Sequence, residues 1–215
     1  MKDTVIHLPK LFDVLITSKK TDFLSAKDLS ERLWQELDIA GENYRSIGLE
    51  SCQFDGLVAT ATKFVECQFL DCAFVRGDLT AVQADSDGFE RVTFTKVRAG
   101  GLDLAAASLK HVQFTSCKLT MANFRQAELR YVVFRDCELD KADFRGARFT
   151  NVAFINCLLD GAEMQGVVCT NVDLRQSELV GLVGVASLKG ATLSTIQLMG
   201  LAPVLAAELE ILIED

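Results

Sequence analysis

The sequence predicts an all-β solenoid, a four-sided parallel β-helix of about seven coils with a short helical cap at each end. Three observations carry this prediction. An apolar residue stands at every fifth position, like residues recur at every twentieth, and Phe (14) far outnumbers Tyr (2) and Trp (1). Reading from Tyr44 through Leu49, Phe54 and Ala59 to Leu174 and Leu179 gives 28 consecutive rungs without a polar residue, and 12 of the 14 Phe lie on them. The position two residues before each rung is small or apolar almost throughout, as at Cys52, Cys72, Val92, Val112, Ala122 and Val132. A period of five suits neither an α-helix, whose surface repeats near 3.6, nor a flat strand, which repeats at 2. It suits one short extended side followed by a turn, with the small residue and the large one both pointing inward.

The period of twenty counts the sides. Every fourth rung gives the column Phe54, Phe74, Phe94, Phe114, Phe134 and Phe154, a single residue type and the candidate structural ladder of the core. A second column reads Ala59, Leu79, Ala99, Leu119, Leu139, Leu159, Leu179, with Cys117, Cys137 and Cys157 in front of it. Four repeats therefore make one square coil, and coils stacked at parallel-strand spacing place like residues above one another. The stack should be about 35 Å long at ~4.8 Å per coil.

These rungs, and stretches such as Ala122-Asn123-Phe124-Arg125-Gln126 and Ala142-Asp143-Phe144-Arg145-Gly146, resemble those of pentapeptide-repeat proteins over residues 37–199. The resemblance implies a right-handed quadrilateral β-helix.

Taken in chain order, residues 1–36 form an N-terminal capping segment. Lys27 and Arg32 would lie inside if the pattern ran further back, so the ladder is read as starting after them. Ser25-Ala26-Lys27-Asp28 has the form of a helix start, and Leu29, Leu33 and Leu37 follow at helical spacing. A short helix over 26–36 is expected to cover the first coil. Residues 37–193 form the solenoid. One blemish is Asp87, which falls on an interior position within Ala84-Asp85-Ser86-Asp87-Gly88. A calcium loop is excluded, because its first ligand position would be Gln83 and its twelfth Phe94. A local bulge exposing Asp87 is expected instead. Near Gly181–Gly184 the register slips by one and resumes at Ala186-Ser187-Leu188.

Residues 194–215 form a helical tail. Ser194-Thr195-Ile196-Gln197 has capping-box form, and Pro203 is expected to split the tail into two short helices. Ile211-Leu212-Ile213 is a candidate terminal strand. The tail, ASLKGATLSTIQL with LAPVLAAEL after it, is similar to that of actinobacterial pentapeptide-repeat proteins. That similarity implies a homodimer joined end to end through the tail, with Leu198, Leu201, Leu205 and Leu209 as candidate contacts.

The sequence offers little chemistry. Six of the 7 Cys occupy the small interior position, and neither a CxxC pair nor an accompanying His is present. They read as buried structural thiols in a reducing, cytoplasmic setting. His7 and His111 form no nucleophile–base set, and no phosphate-binding glycine motif occurs. No catalytic, cofactor or metal site is expected. Neither is a signal peptide, a membrane span or direct nucleic-acid binding, given the net charge of −8. The resemblance implies one sharper function, because quinolone-resistance members act as acidic DNA mimics that bind DNA gyrase. Counting outward positions, the four sides carry net charges of −1, 0, +1 and −2, none of them a phosphate-like rail. The expectation is therefore a non-enzymatic interaction scaffold with an unidentified protein partner, and gyrase mimicry is the alternative. Val75, Val133 and Ile155, outward on the all-Phe side, are the candidate interaction face.

Overall fold

A computed structural model describes residues 4–13, 15–18, 20, 23 and 28–212. Short strands come first: β1 (Ile16–Thr17), β2 (Asp28–Ser30), β3 (Arg32–Gln35), β4 (Asn43–Arg45), β5 (Gly48–Glu50), β6 (Gln53–Asp55), β7 (Lys63–Val65), β8 (Gln68–Leu70) and β9 (Ala73–Val75). Longer strands that turn a corner follow: β10 (Gly88–Thr95), β11 (Ser108–Thr115), β12 (Glu128–Arg135), β13 (Arg148–Leu158) and β14 (Val168–Glu178). The chain ends with β15 (Ala191–Thr192) and one helix, α1 (Thr195–Glu208).

All the pairings between these strands are parallel, and most join residues twenty apart. Four ladders result, two of them built mainly from single bridges such as Asp78↔Arg98↔Lys118 and Asp103↔Asn123↔Asp143. The chain thus winds a four-sided solenoid of about eight turns. Corner residues take left-handed backbone, φ 54 at His111 and 55 at Tyr131, a conformation that costs most side chains of order 1 kcal/mol each. Hydrogen bonds to the next coil help to hold them there, as from Ser51 N to Leu70 O (2.9 Å) and from Asp71 N to Glu90 O (3.0 Å). Gly101 (φ 65) occupies one such corner without that strain.

Inside, the column of Phe54, Phe74, Phe94, Phe114, Phe134 and Phe154 is a continuous ring stack. Its centroids lie 4.7–5.0 Å apart and its planes within 8° of parallel. The coil spacing fixes that separation, so each ring covers its neighbour. Interior side chains with a donor meet the preceding coil in one way: Thr62 Oγ1, Cys117 Sγ and Ser177 Oγ each donate to the carbonyl 23 residues earlier.

Four expectations need correction. Over its described residues, 28–36, the expected helix is absent, and β2 and β3 occupy 28–30 and 32–35. The ladder simply begins earlier, with Leu29 above Leu49 and Trp34 stacked on Phe54 at 5.0 Å. Phe23 is buried edge-on against Trp34, Tyr44 and Phe54, plugging that end. Asp87 is not bulged out. It is 0% exposed and in register, because its Oδ1 accepts the otherwise unpaired Cys67 N–H at 2.8 Å. Pro203 does not break the tail, since contacts on both sides of it anchor one helix. Of the candidate terminal strand, residues 211–212 form no strand, and Ile213 lies outside the described residues. The register slip is present, with Val172 pairing Ala191, nineteen rather than twenty residues on.

Candidate interaction surfaces

Four surfaces are available to a partner: the ladder sides, the corner ridges between them, the all-Phe side and the C-terminal end. On the ladder sides, charges face one another across adjacent coils and pair off. Arg98 reaches Asp78 at 2.8 Å, Lys110 reaches Glu90 at 3.0 Å and Lys118 reaches Glu138 at 3.4 Å. Arg145 bridges Asp143 (2.6 Å) and Glu163 (2.9 Å). The Arg145 and Arg175 guanidinium groups beside Asp143 and Asp173 hold these carboxyls below the usual carboxylate range, in Asp143 against the burial that would raise it. Exposed pairs of this kind add little stability, but they cancel the local field.

The N-terminal segment has a role that the sequence did not reveal. It runs in extended form along one corner ridge, the row Glu31, Ser51, Asp71, Arg91, His111, Tyr131. Ile16 N donates to Glu31 O (2.9 Å), Ser51 Oγ donates to Lys10 O (3.1 Å), Lys10 N donates to Asp71 Oδ1 (2.8 Å) and His7 N donates to His111 Nδ1 (3.4 Å). Arg91 clamps Asp71 from the far side through two bonds of 2.7 Å. Burial would raise the Asp71 carboxyl, but Arg91 and the Lys10 N–H outweigh it and hold it low.

This strap changes the candidate face on the all-Phe side. Val133 is outward on its strand yet only 5% exposed, and Ala73 and Ala153 are buried with it. Thr4, Val133 and Ala153 line one shared hollow there, with Arg135, Ile155 and Arg175 around it. Val75 and Ile155 remain half-buried. The three residues therefore form no open apolar patch.

The C-terminal end is different. The expected capping box is formed: Ser194 Oγ accepts Gln197 N–H (3.2 Å) and Gln197 Oε1 accepts Ser194 N–H (2.8 Å). The Gln197 amide also donates to the Leu174 and Ser177 carbonyls of the last coil, at 2.6 and 2.7 Å. Glu208 accepts the Gly184 and Ala186 N–H groups at 2.7 and 2.8 Å. α1 is thus stitched to the solenoid near both its ends. Of the four candidate dimer contacts, Leu201 is 4% exposed and Leu205 packs on the core, so both contribute to the cap. Leu198 and Leu209 face outward. Ile196 (83% exposed), Met199 (71%), Ile211 and Leu212 are exposed in the same tail.

Nothing in the interior adds chemistry. The cysteines are free, and six are buried. The adjoining Cys117 thiol, with burial, pushes Cys137 up to about 12, and burial pushes Cys169 up to about 11, so these thiols stay protonated and inert. Among the described residues no cluster of His, Cys, Asp and Glu has metal-binding geometry. No helix among them is long and apolar enough to cross a membrane.

A model of the pentapeptide repeat region matches residues 68–144 and 107–183, together more than half of the chain. No curated protein matches. Among solved structures, a trypsin-treated form of QnrB1, a plasmid-mediated fluoroquinolone resistance protein, is 22% identical with a TM-score of 0.46. That alignment covers 87% of this chain and 90% of the other. HetL, a pentapeptide repeat protein involved in heterocyst differentiation regulation in the cyanobacterium Nostoc sp., is 15% identical with a TM-score of 0.38, over 80% and 91% of the two chains.

Proposed function

The chain belongs to the pentapeptide-repeat family, and from that premise we propose that it is a non-enzymatic interaction scaffold that works as a homodimer joined through α1. One observation carries the reading. The exposed apolar side chains Ile196, Leu198, Met199, Leu209, Ile211 and Leu212 follow closely on one another in the tail, whereas charges pair off on the sides of the rod and exposed apolar residues such as Met121, Val168 and, on the strap, Leu8 and Phe12 are spread out. An apolar run of this kind at one end fits a self-association surface. The buried free thiols support a reducing, cytoplasmic setting.

Capping and joining use different faces of α1, which makes the proposal testable without unfolding the end of the rod. Asp at Ile196 and Met199 leaves Leu201, Gln197 and Glu208 in place. Light scattering should give a dimer for the wild type and a monomer for this double variant, with equal melting temperatures. A monomeric wild type refutes the dimer.

Gyrase binding by DNA mimicry needs an unneutralised acidic rail, and pairs such as Arg98–Asp78 and Lys118–Glu138 count against one. Purified gyrase discriminates the readings. The scaffold reading predicts no inhibition of supercoiling at micromolar protein, and inhibition or protection from a fluoroquinolone would replace it with mimicry.

A further inference from the structure

The strap is held by few bonds, and one of them depends on a titratable ring. We propose that residues 4–13 form a pH-sensitive latch on the corner ridge, docked at neutral pH and released in mildly acidic solution when His111 takes a proton. The geometry is specific. His111 Nδ1 is the acceptor for the His7 N–H, so the imidazole is neutral in the docked state with its proton on Nε2. A proton on Nδ1 would set one donor against another and remove that bond.

The neighbours make the protonated ring still less welcome while the strap is docked. The His7 ring lies edge-on to His111 at 4.5 Å, and Tyr131 stacks beneath it at 4.7 Å. Lys110 adjoins it in sequence, and Arg91 stands one coil back. The one nearby carboxylate, Glu90, is already engaged by both Lys110 and Arg91 at 3.0 Å. Asp71 on the same ridge is committed to Arg91 and the Lys10 N–H. Burial first, then His7 and Lys110, hold His111 below the ordinary histidine range; Glu90 pulls the other way and Arg91 adds a smaller lowering effect.

The sign follows from linkage. The docked state binds the proton less tightly than the released state does. Docking is therefore complete above the ordinary histidine pKa and weakens as pH falls through and below it. Asp71, held low, stays ionised across that window, so its bond with the Lys10 N–H does not itself titrate; the change starts at His7 and reaches Lys10 only as the strap leaves the ridge. Release would open the hollow that Thr4 shares with Val133 and Ala153 on the all-Phe side.

The test is an amide NMR titration of the full chain from about pH 7.5 to about pH 5, the range in which a histidine changes charge. The amides of His7 and Lys10 should move to random-coil positions as pH falls, while those of Leu119 and Phe124 in the core stay fixed. His111→Phe keeps the ring and removes the titration, and Tyr131 shows that an aromatic residue tolerates this left-handed corner. His111→Asn, a residue at ease in that conformation, is the second variant. Both should lose the pH response. Unmoved His7 and Lys10 amides in the wild type, or an unchanged response in both variants, overturns the proposal.

Discussion

Residues 49–104 and residues 107–164 follow the same five-residue pattern, yet the two halves of the solenoid are packed differently. In the first half Phe64, Phe69, Phe74, Phe89 and Phe94 are 4–6% exposed, and only Phe54, beneath Trp34 and Phe23, is at 1%. In the second, all six Phe are 0–2% exposed. A cavity of about 30 Å³ lies among Phe64, Phe74, Ala84, Phe94 and Leu104. Its origin is visible in the ladder, where Ala84 stands on a rung that holds Phe or Met in the second half. The larger Val82 and Leu102 in neighbouring small positions fill the gap only in part. The first half also buries Asp87, whereas the same column further on carries Ala107, Ala127 and Ala147. A repeat that preserves its register can thus still vary its filling, and the closely filled half is the one that leads to α1 and its exposed apolar surface.

The largest expected effect compares one ring from each half. Phe134→Ala should cost about 4 kcal/mol in urea unfolding, and Phe74→Ala, which already borders a void, about 3 kcal/mol. Equal or reversed losses would break the contrast.

The next effect belongs to Asp87. Burial first, then Asp85 and Glu66, push its carboxyl up to about 6, against the Cys67 and Glu66 N–H groups that lower it. A raised carboxyl pKa means that the folded state binds the proton more tightly. The destabilisation is therefore full above about pH 6 and is relieved as pH falls toward the ordinary value near 4. Asp87→Asn keeps an acceptor for Cys67 and removes the charge. It should raise stability at neutral pH by on the order of 2 kcal/mol and flatten the unfolding midpoint between about pH 4 and about pH 6. An unchanged slope in the variant would show that Asp87 is not the source.

The ladder, the register slip and the capping box were legible in the sequence because each depends on local spacing. The first coil was not. Leu29, Leu33 and Leu37 fit a helix, while Leu29, Trp34 and Ile39 fit the five-residue ladder equally well. Pairing with Leu49 and Phe54 decides between them, and that is a tertiary effect. Arg32 hid the ladder further, since a charged residue in a small interior position argues against continuation, yet at the end coil it is only half-buried. The strap left no periodic trace, because its partners Ser51, Asp71 and His111 lie 41 to 104 residues away. For the same reason Val133 read as an open surface. The inward and outward sides of the tail were equally hidden, as α1 places Leu198 outward and Leu201 inward only once it docks on Leu174 and Ser177.

The solenoid is closely filled toward α1 and more loosely filled in its first half. Native-state hydrogen exchange, resolved by residue on the full chain, tests this most directly. It should show lower opening free energies for interior amides such as Phe64, Ala84 and Gln83 than for Phe124, Phe144 and Asp143. Uniform protection along the ladder, or weaker protection in the second half, would contradict it.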